Sequence, residues 1–169
     1  TDFDRFPIPY RAVATDLATG RAVIIGSGSL STAMRASMSI PGIFPPVELN
    51  GIPLADGGMA ANFPIQIARK LGAEVIIGVD ISTPLRTKEQ LGSILTRIDQ
   101  VTGLLTNGNK EADMAAVEPQ DVIIVPDLSD ITFSDFAKTA ITIDRGEAAA
   151  RAAEPRLRKL AVSDAEWEA

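Results

Sequence analysis

The side chains best placed for chemistry fall within residues 34–80. At their centre is Leu54-Ala55-Asp56-Gly57-Gly58, an aspartate that ends a short apolar run and precedes two glycines. A carboxylate just beyond a strand, on a loop made sharp by glycine, sits at the rim of a sheet, where open α/β folds place their ligands. The same tripeptide also makes a plain turn, because Asp and Gly favour turns for their own reasons. Asp80 ends the apolar run Val75 to Val79 and is a second carboxylate at a strand end. Without histidine beside it, loop bonding or helix capping suits Asp80 better than half of a metal pair. Arg35 either meets an anionic head group or sits solvated on a helix face, and the solvated reading is the simpler.

Two absences narrow the chemistry. The 169 residues contain no histidine and no cysteine. A Ser-His-Asp triad, a thiolate nucleophile and Cys-ligated zinc therefore cannot be assembled from them. Any hydrolytic base must be a carboxylate, a lysine or a tyrosine. Sixteen Lys and Arg against 22 Asp and Glu leave a net charge of -6 and a pI near 4.7, opposite to the basic surplus of a nucleic-acid binder. No run approaches 18 consecutive apolar residues, so no segment reads as membrane-spanning. With 46% hydrophobic and 22% charged residues, the composition is that of one ordinary globular domain. The chain opens at Thr1 with neither an initiator Met nor a signal-like run, and reads as a piece of a longer polypeptide whose compartment is not legible.

The elements that must position Asp56 are readable from pattern. Tyr10 to Asp16 and Arg21 to Ile25 are β-rich runs joined by Leu17-Ala18-Thr19-Gly20, a hairpin. Ser31 is placed to cap a helix running through Met38, which Pro41-Gly42 ends. Val47-Glu48-Leu49 and Ile52-Pro53-Leu54 flank Asn50-Gly51, the strongest two-residue hairpin signal. Asn62, with Pro64 in the first turn, starts a helix closed by Gly72. Residues 75–81 and 122–125 read as buried parallel strands. Leu91, Ile94, Leu95, Ile98, Val101 and Leu105 recur at helical spacing over residues 88–105, with Arg97, Asp99 and Gln100 on the opposite face. That stripe is either an ordinary core face or a lid or membrane-facing helix. A second helix is expected near Lys110 to Val117, and an Ala-rich helix over 134–161 interrupted near Pro155. The whole predicts an α/β fold with a largely parallel sheet and flanking helices.

Gly26-Ser27-Gly28-Ser29-Leu30-Ser31 lies between a strand and a helix, with Glu48 downstream at the spacing of a ribose-binding acid. The third glycine of a dinucleotide fingerprint is missing, and a hairpin-to-helix loop is the plainer reading.

Taken together, these segments resemble the C-terminal half of the catalytic domain of the patatin-like phospholipase family, bacterial members in particular. The resemblance rests on Ser39-Ile40-Pro41-Gly42-Ile43-Phe44-Pro45-Pro46, on Asp56-Gly57-Gly58 and on Asn62-x-Pro64, in that order, and covers residues 5–85 well. It implies hydrolysis of lipid acyl esters by a Ser–Asp dyad that needs no histidine, metal or organic cofactor. Asp56 would be the general base, with Gly57 and Gly58 shaping its loop for close approach to the nucleophile. It also implies a Gly-x-Ser-x-Gly elbow and a glycine-rich oxyanion loop, and no serine here has glycine both two before and two after it. Both elements are then expected upstream of Thr1, with further strands. Residues 1–169 would be an incomplete, C-terminal portion of one domain, inactive alone, with apolar sheet surface left open. Its partner would be a lipid or acyl-ester substrate, with membrane-surface contact and no nucleic acid. A non-catalytic acyl-chain or protein-binding domain on the same scaffold is the alternative. The polar tail from Ser163 to Ala169 reads as an exit from the domain.

Overall fold

The computed structural model describes residues 1–82, 84–131 and 135–163. Two compact units divide it: Thr1–Pro64 with Leu85–Ala116, and Ile65–Pro84 with Val117–Ala169.

The first unit is built on a four-stranded sheet of strands β1 (Ala12–Asp16), β2 (Ala22–Ile25), β3 (Val47–Leu49) and β4 (Ile52–Asp56), in the order β2-β1-β4-β3. Every pairing in it is antiparallel, which corrects the expected largely parallel sheet. The reason lies in the two hairpins. Asp16 ties the first turn by accepting from the Ala18 amide at 2.8 Å and the Thr19 hydroxyl at 2.7 Å. Asn50 and Gly51 take φ of 53° and 78°, the left-handed pair that a type I′ turn requires. Hairpins join neighbours antiparallel, and β1 and β4 then pair the same way, Ala14 opposite Asp56.

Helix α1 (Leu30–Ser37) covers one face of this sheet with Ala33 and Ala36, small enough for helix and strands to approach closely. Phe3, Ala12, Ala14, Ile25 and Leu54 complete the core, with Phe6 and Tyr10 packed against Phe3 at ring distances of 5.3 and 5.9 Å. The cap of α1 is Ser29, whose hydroxyl accepts from the Thr32 amide, two residues before the expected Ser31. The α1 helix also ends one residue before Met38, with Gly42 at φ 85° in the loop beyond.

A one-turn helix α2 (Gly58–Ala61) follows β4, and the long helix α4 (Ile94–Met114) packs on it. Ser93 and Thr96 form a capping box that fixes the start of α4 at 94 and not 88. The helix continues through Gly108, so the separate helix expected near Lys110 is the end of α4. The side chains of Leu95 and Asp99, part of the expected stripe and its polar face, lie outside the described residues. No helix among the described residues is long and apolar enough to cross a membrane.

The second unit contains helix α3 (Ile65–Lys70), a parallel pair of strands β5 (Ile77–Val79) and β6 (Val122–Ile124), and helix α5 (Thr139–Leu157) packed on β6. Among the described residues, parallel pairing is confined to this pair. Gly72 closes α3 at φ 98°, and the α3 helix begins three residues after Asn62, past Pro64. Ile77 and Val79 remain about half exposed. Asp121 is fully buried, accepting from the amides of Ile76 and Glu118 at 2.8 Å each and from Arg69 at 2.6 Å. Burial pushes its carboxyl up, but the two amides and the guanidinium outweigh that and hold it below the usual carboxylate range. Helix α5 runs through Pro155 instead of breaking there, because a proline in the last turn removes only one hydrogen bond. Residue 134, the expected start of that helix, and the exit tail from residue 164 lie outside the described residues.

Candidate active site

Asp56 is the last residue of β4, and the chain turns directly from it into α2. Three hydrogen bonds fix its backbone. Its amide donates to the Ser39 carbonyl at 3.0 Å, its carbonyl accepts from the Thr15 hydroxyl at 2.7 Å, and the next amide, Gly57, donates to the Ser37 carbonyl at 3.3 Å. The residues supplying these acceptors form the end of α1 and the loop after it. That loop is held in turn by Ser39, 1% exposed, whose hydroxyl donates to the Arg35 carbonyl and accepts from the Arg35 guanidinium, both at 2.6 Å. The guanidinium also lies over the Phe44 ring, 4.7 Å from its centroid. Arg35 is therefore a half-buried brace, which corrects its reading as a solvated helix-face residue. Sequence reasoning missed the pairing of Arg35 with Ser39, although their i, i+4 spacing at a helix end was a usable signal.

The carboxylate of Asp56 is half-buried. Its Oδ1 accepts from the Gly58 amide at 2.8 Å, and Oδ2 makes no hydrogen bond among the described residues. Burial raises its pKa above the ordinary aspartate value, and the Gly58 amide opposes that rise without cancelling it. The carboxylate is thus anchored through one oxygen only among the described residues.

The two glycines have separate structural duties. A Cβ on Gly57 would lie 2.1 Å from the Val13 carbonyl oxygen, so only glycine lets this turn press against β1. Its φ of -67° is one any residue adopts, so space and not conformation selects it. A Cβ on Gly58 would meet Asn62 Oδ1 at 2.8 Å, Asp56 Oδ1 at 3.0 Å and Thr106 Cγ2 at 3.1 Å. Gly58 is therefore where the catalytic candidate, Asn62 and helix α4 converge. A cleft of about 310 Å³ opens beside them, bordered by Tyr10, Arg11, Ser37, Asp56, Asn62 and Pro64. Arg11 is not a free cation in that cleft, since it binds both carboxylate oxygens of Asp4, at 2.7 and 2.8 Å.

The remaining candidates are placed as follows. Asp80, in the second unit, accepts from the amide of Ser82 at 3.1 Å and from its hydroxyl, a loop-bonding role. No group of three or more His, Cys, Asp or Glu among the described residues could hold a metal ion. The glycine-serine run at 26–31 is the entry to α1, with Ser27 bridged to Asp2 and Gly28 at φ 105°. Because α1 leads into an antiparallel strand, the crossover that a dinucleotide site needs is absent.

The first unit thus places a half-buried carboxylate at the end of a strand, on a turn pressed against its neighbour. Residues 3–69 match the sequence profile of the patatin-like phospholipases. An uncharacterized NTE family protein of Mycobacterium tuberculosis is 42% identical over 79 residues, 47% of this chain and 22% of the relative. A second one from the same organism is 30% identical over 174 residues, covering 90% of this chain and 30% of the relative. Mouse patatin-like phospholipase domain-containing protein 7 is 38% identical over 78 residues, 45% of this chain and 6% of that protein. The chain spans less than a third of the length of these relatives.

Proposed function

We propose that the chain is the base-bearing part of a lipid acyl-ester hydrolase, with Asp56 as general base to a serine that lies upstream in the complete polypeptide. The serine Oγ attacks the ester carbonyl carbon while its proton passes to Asp56 Oδ2. The tetrahedral intermediate then expels the alcohol, which takes that proton back, and an acyl-serine remains. Water attacks the acyl-serine, giving its proton to Asp56 Oδ2, and the proton returns to the serine Oγ as the carboxylic acid leaves. Each step conserves protons between one carboxylate and one hydroxyl, so neither histidine nor a metal enters.

The observation that carries this reading is the half-buried Asp56 carboxylate at the border of the cleft, with Oδ1 anchored by the Gly58 amide. A raised pKa makes it a stronger base than an exposed aspartate, nearer the pH at which it must work. The match of residues 3–69 to the patatin-like phospholipases supports the substrate class. The relatives' greater length supports a serine outside these residues. The test is ester hydrolysis by the complete polypeptide and its Asp56→Asn variant. A loss of about 10²–10⁴-fold in turnover is expected of a missing general base. Unchanged turnover in Asp56→Asn removes Asp56 from the chemistry.

A further inference from the structure

Helix α2 is a single turn of four residues. One turn alone is unstable, because fixing its backbone costs more entropy than its few hydrogen bonds offset, and its last carbonyls find no amide within the helix. Yet α2 sets the position of Asp56, since the amide of its first residue, Gly58, donates to Asp56 Oδ1 at 2.8 Å. Support for the turn comes from α4, a helix of 21 residues that packs on it. Asn109 Nδ2 donates to the Met59 carbonyl at 2.5 Å, which satisfies one of those carbonyls on the residue next to Gly58. Thr106 lies three residues earlier, on the same face of α4. Its Cγ2 methyl sits so close to Gly58 that a Cβ there would lie 3.1 Å from the methyl and 3.0 Å from Asp56 Oδ1.

We propose that Asn109 is a positioning residue for Asp56, acting through α2 with the Thr106 methyl as a second contact. The Asn109 bond does not touch the carboxylate. It fixes the Met59 carbonyl, one residue from the Gly58 amide in a turn too short to keep its own shape. Without that bond the turn shifts, the Gly58 amide leaves Oδ1, and the carboxylate loses its one hydrogen bond among the described residues. The catalytic consequence rests on Asp56 being the base, whereas the geometric one does not. A reacting group misplaced by about 1 Å costs about 100-fold in rate. Asn109 is not among the residues that border the cleft at Asp56, so its loss acts on kcat and leaves KM in place.

The complete polypeptide, made with isotope-labelled glycine for NMR, gives two readouts. The Gly58 amide donates to the Asp56 carboxylate, so its signal moves as that carboxyl ionises. Asn109→Leu keeps the size of the side chain and removes the donor. It should flatten the Gly58 titration and lower kcat for a carboxylic ester by about 10- to 100-fold, with KM unchanged. Thr106→Ser removes the methyl at Gly58 and keeps the hydroxyl that donates to the Gly103 carbonyl at 3.2 Å. A smaller effect of the same kind is expected, and this variant decides the matter if Asn109→Leu fails to fold. Gly20→Ala, strained by its φ of 70° with open space around it, should change neither readout, which separates positioning from lost stability. A folded Asn109→Leu whose Gly58 amide titrates as in wild type overturns the positioning, whatever Asp56→Asn does to turnover. Wild-type kcat in Asn109→Leu, where Asp56→Asn loses turnover, overturns it as well. Wild-type turnover in Asp56→Asn beside a flattened Gly58 titration in Asn109→Leu removes the base and upholds the positioning.

Discussion

The amide of Asp56 donates to the carbonyl of Ser39 at 3.0 Å, and that bond joins the end of β4 to the loop beyond α1. Its consequence is that the carboxylate's position depends on a loop seventeen residues earlier in the chain. The loop is braced by the Arg35 guanidinium, the Ser39 hydroxyl and the Phe44 ring. The Ser-Ile-Pro-x-x-Phe-Pro-Pro segment thus acts on the site through backbone hydrogen bonds, without presenting a reactive group of its own.

Replacing Ser39 with Ala removes both of its hydrogen bonds and leaves a buried carbonyl and part of a guanidinium unmet. A loss of about 1–3 kcal/mol in urea unfolding is expected. If the brace positions Asp56, the folded variant also loses turnover at saturating substrate, with its pH–rate profile displaced. A profile identical to wild type confines Ser39 to folding.

Gly57→Ala forces a methyl group against the Val13 carbonyl, so β1 and the turn must separate. The cost expected from overpacking a rigid backbone contact is about 3 kcal/mol. Gly20→Ala is the control. Gly20 has φ 70° and open space around it, so only the left-handed backbone is penalised, by about 1–2 kcal/mol. Paired melting curves read the difference directly, and an Ala at 57 that melts with wild type contradicts the close approach.

The raised pKa of Asp56 has a sign that stability measurements can check. Burial disfavours the ionised form, so the stability that protonated Asp56 contributes is present below its unfolded pKa and lost as pH rises through its higher folded pKa. Asparagine keeps the Oδ1 bond to Gly58 and carries no charge. Asp56→Asn should therefore melt higher than wild type at pH 7, and the difference should vanish near pH 3. A variant less stable than wild type at pH 7 argues against a desolvated carboxylate.

Asp121 has the opposite sign. Its lowered pKa means that its contribution is present above the unfolded carboxylate pKa of about 3.9 and disappears as pH falls through the folded value. Asp121→Asn strips the charge from Arg69 and leaves the Ile76 or Glu118 amide poorly met, a loss of about 2 kcal/mol or more at pH 7. The variant's deficit should shrink as the pH is lowered below 4, as followed by circular dichroism. A deficit that is constant with pH assigns the loss to packing.

Much of this was legible in the residues, and what was not has physical causes. Asn50-Gly51 and the Leu17 to Gly20 turn announced both hairpins, because turn chemistry is local. The hairpins in turn dictate an antiparallel sheet. Apolar runs such as Val75 to Ile81 suggest parallel strands from composition alone, yet only Ile77–Val79 pairs that way. Asp56 stood out through its glycines, although the pattern did not reveal that Gly57 answers to the Val13 carbonyl. Arg35 was misread because a charge on a short helix usually meets water. Its partners Ser39 and Phe44 become neighbours only once the loop after α1 folds back. The helix start at 94 hinged on a Ser93–Thr96 capping box, a signal weaker than the apolar periodicity that begins at Leu91.

Activation of a serine by Asp56 can be read at the serine itself. A fluorophosphonate probe, applied to the complete polypeptide and to its Asp56→Asn variant with the adduct mapped by mass spectrometry, tests this most directly. One labelled serine is expected upstream of residue 1, in a Gly-x-Ser-x-Gly setting, with labelling that collapses in Asp56→Asn. Labelling that persists at the wild-type rate in Asp56→Asn, or that falls on a serine within residues 1–169, contradicts it.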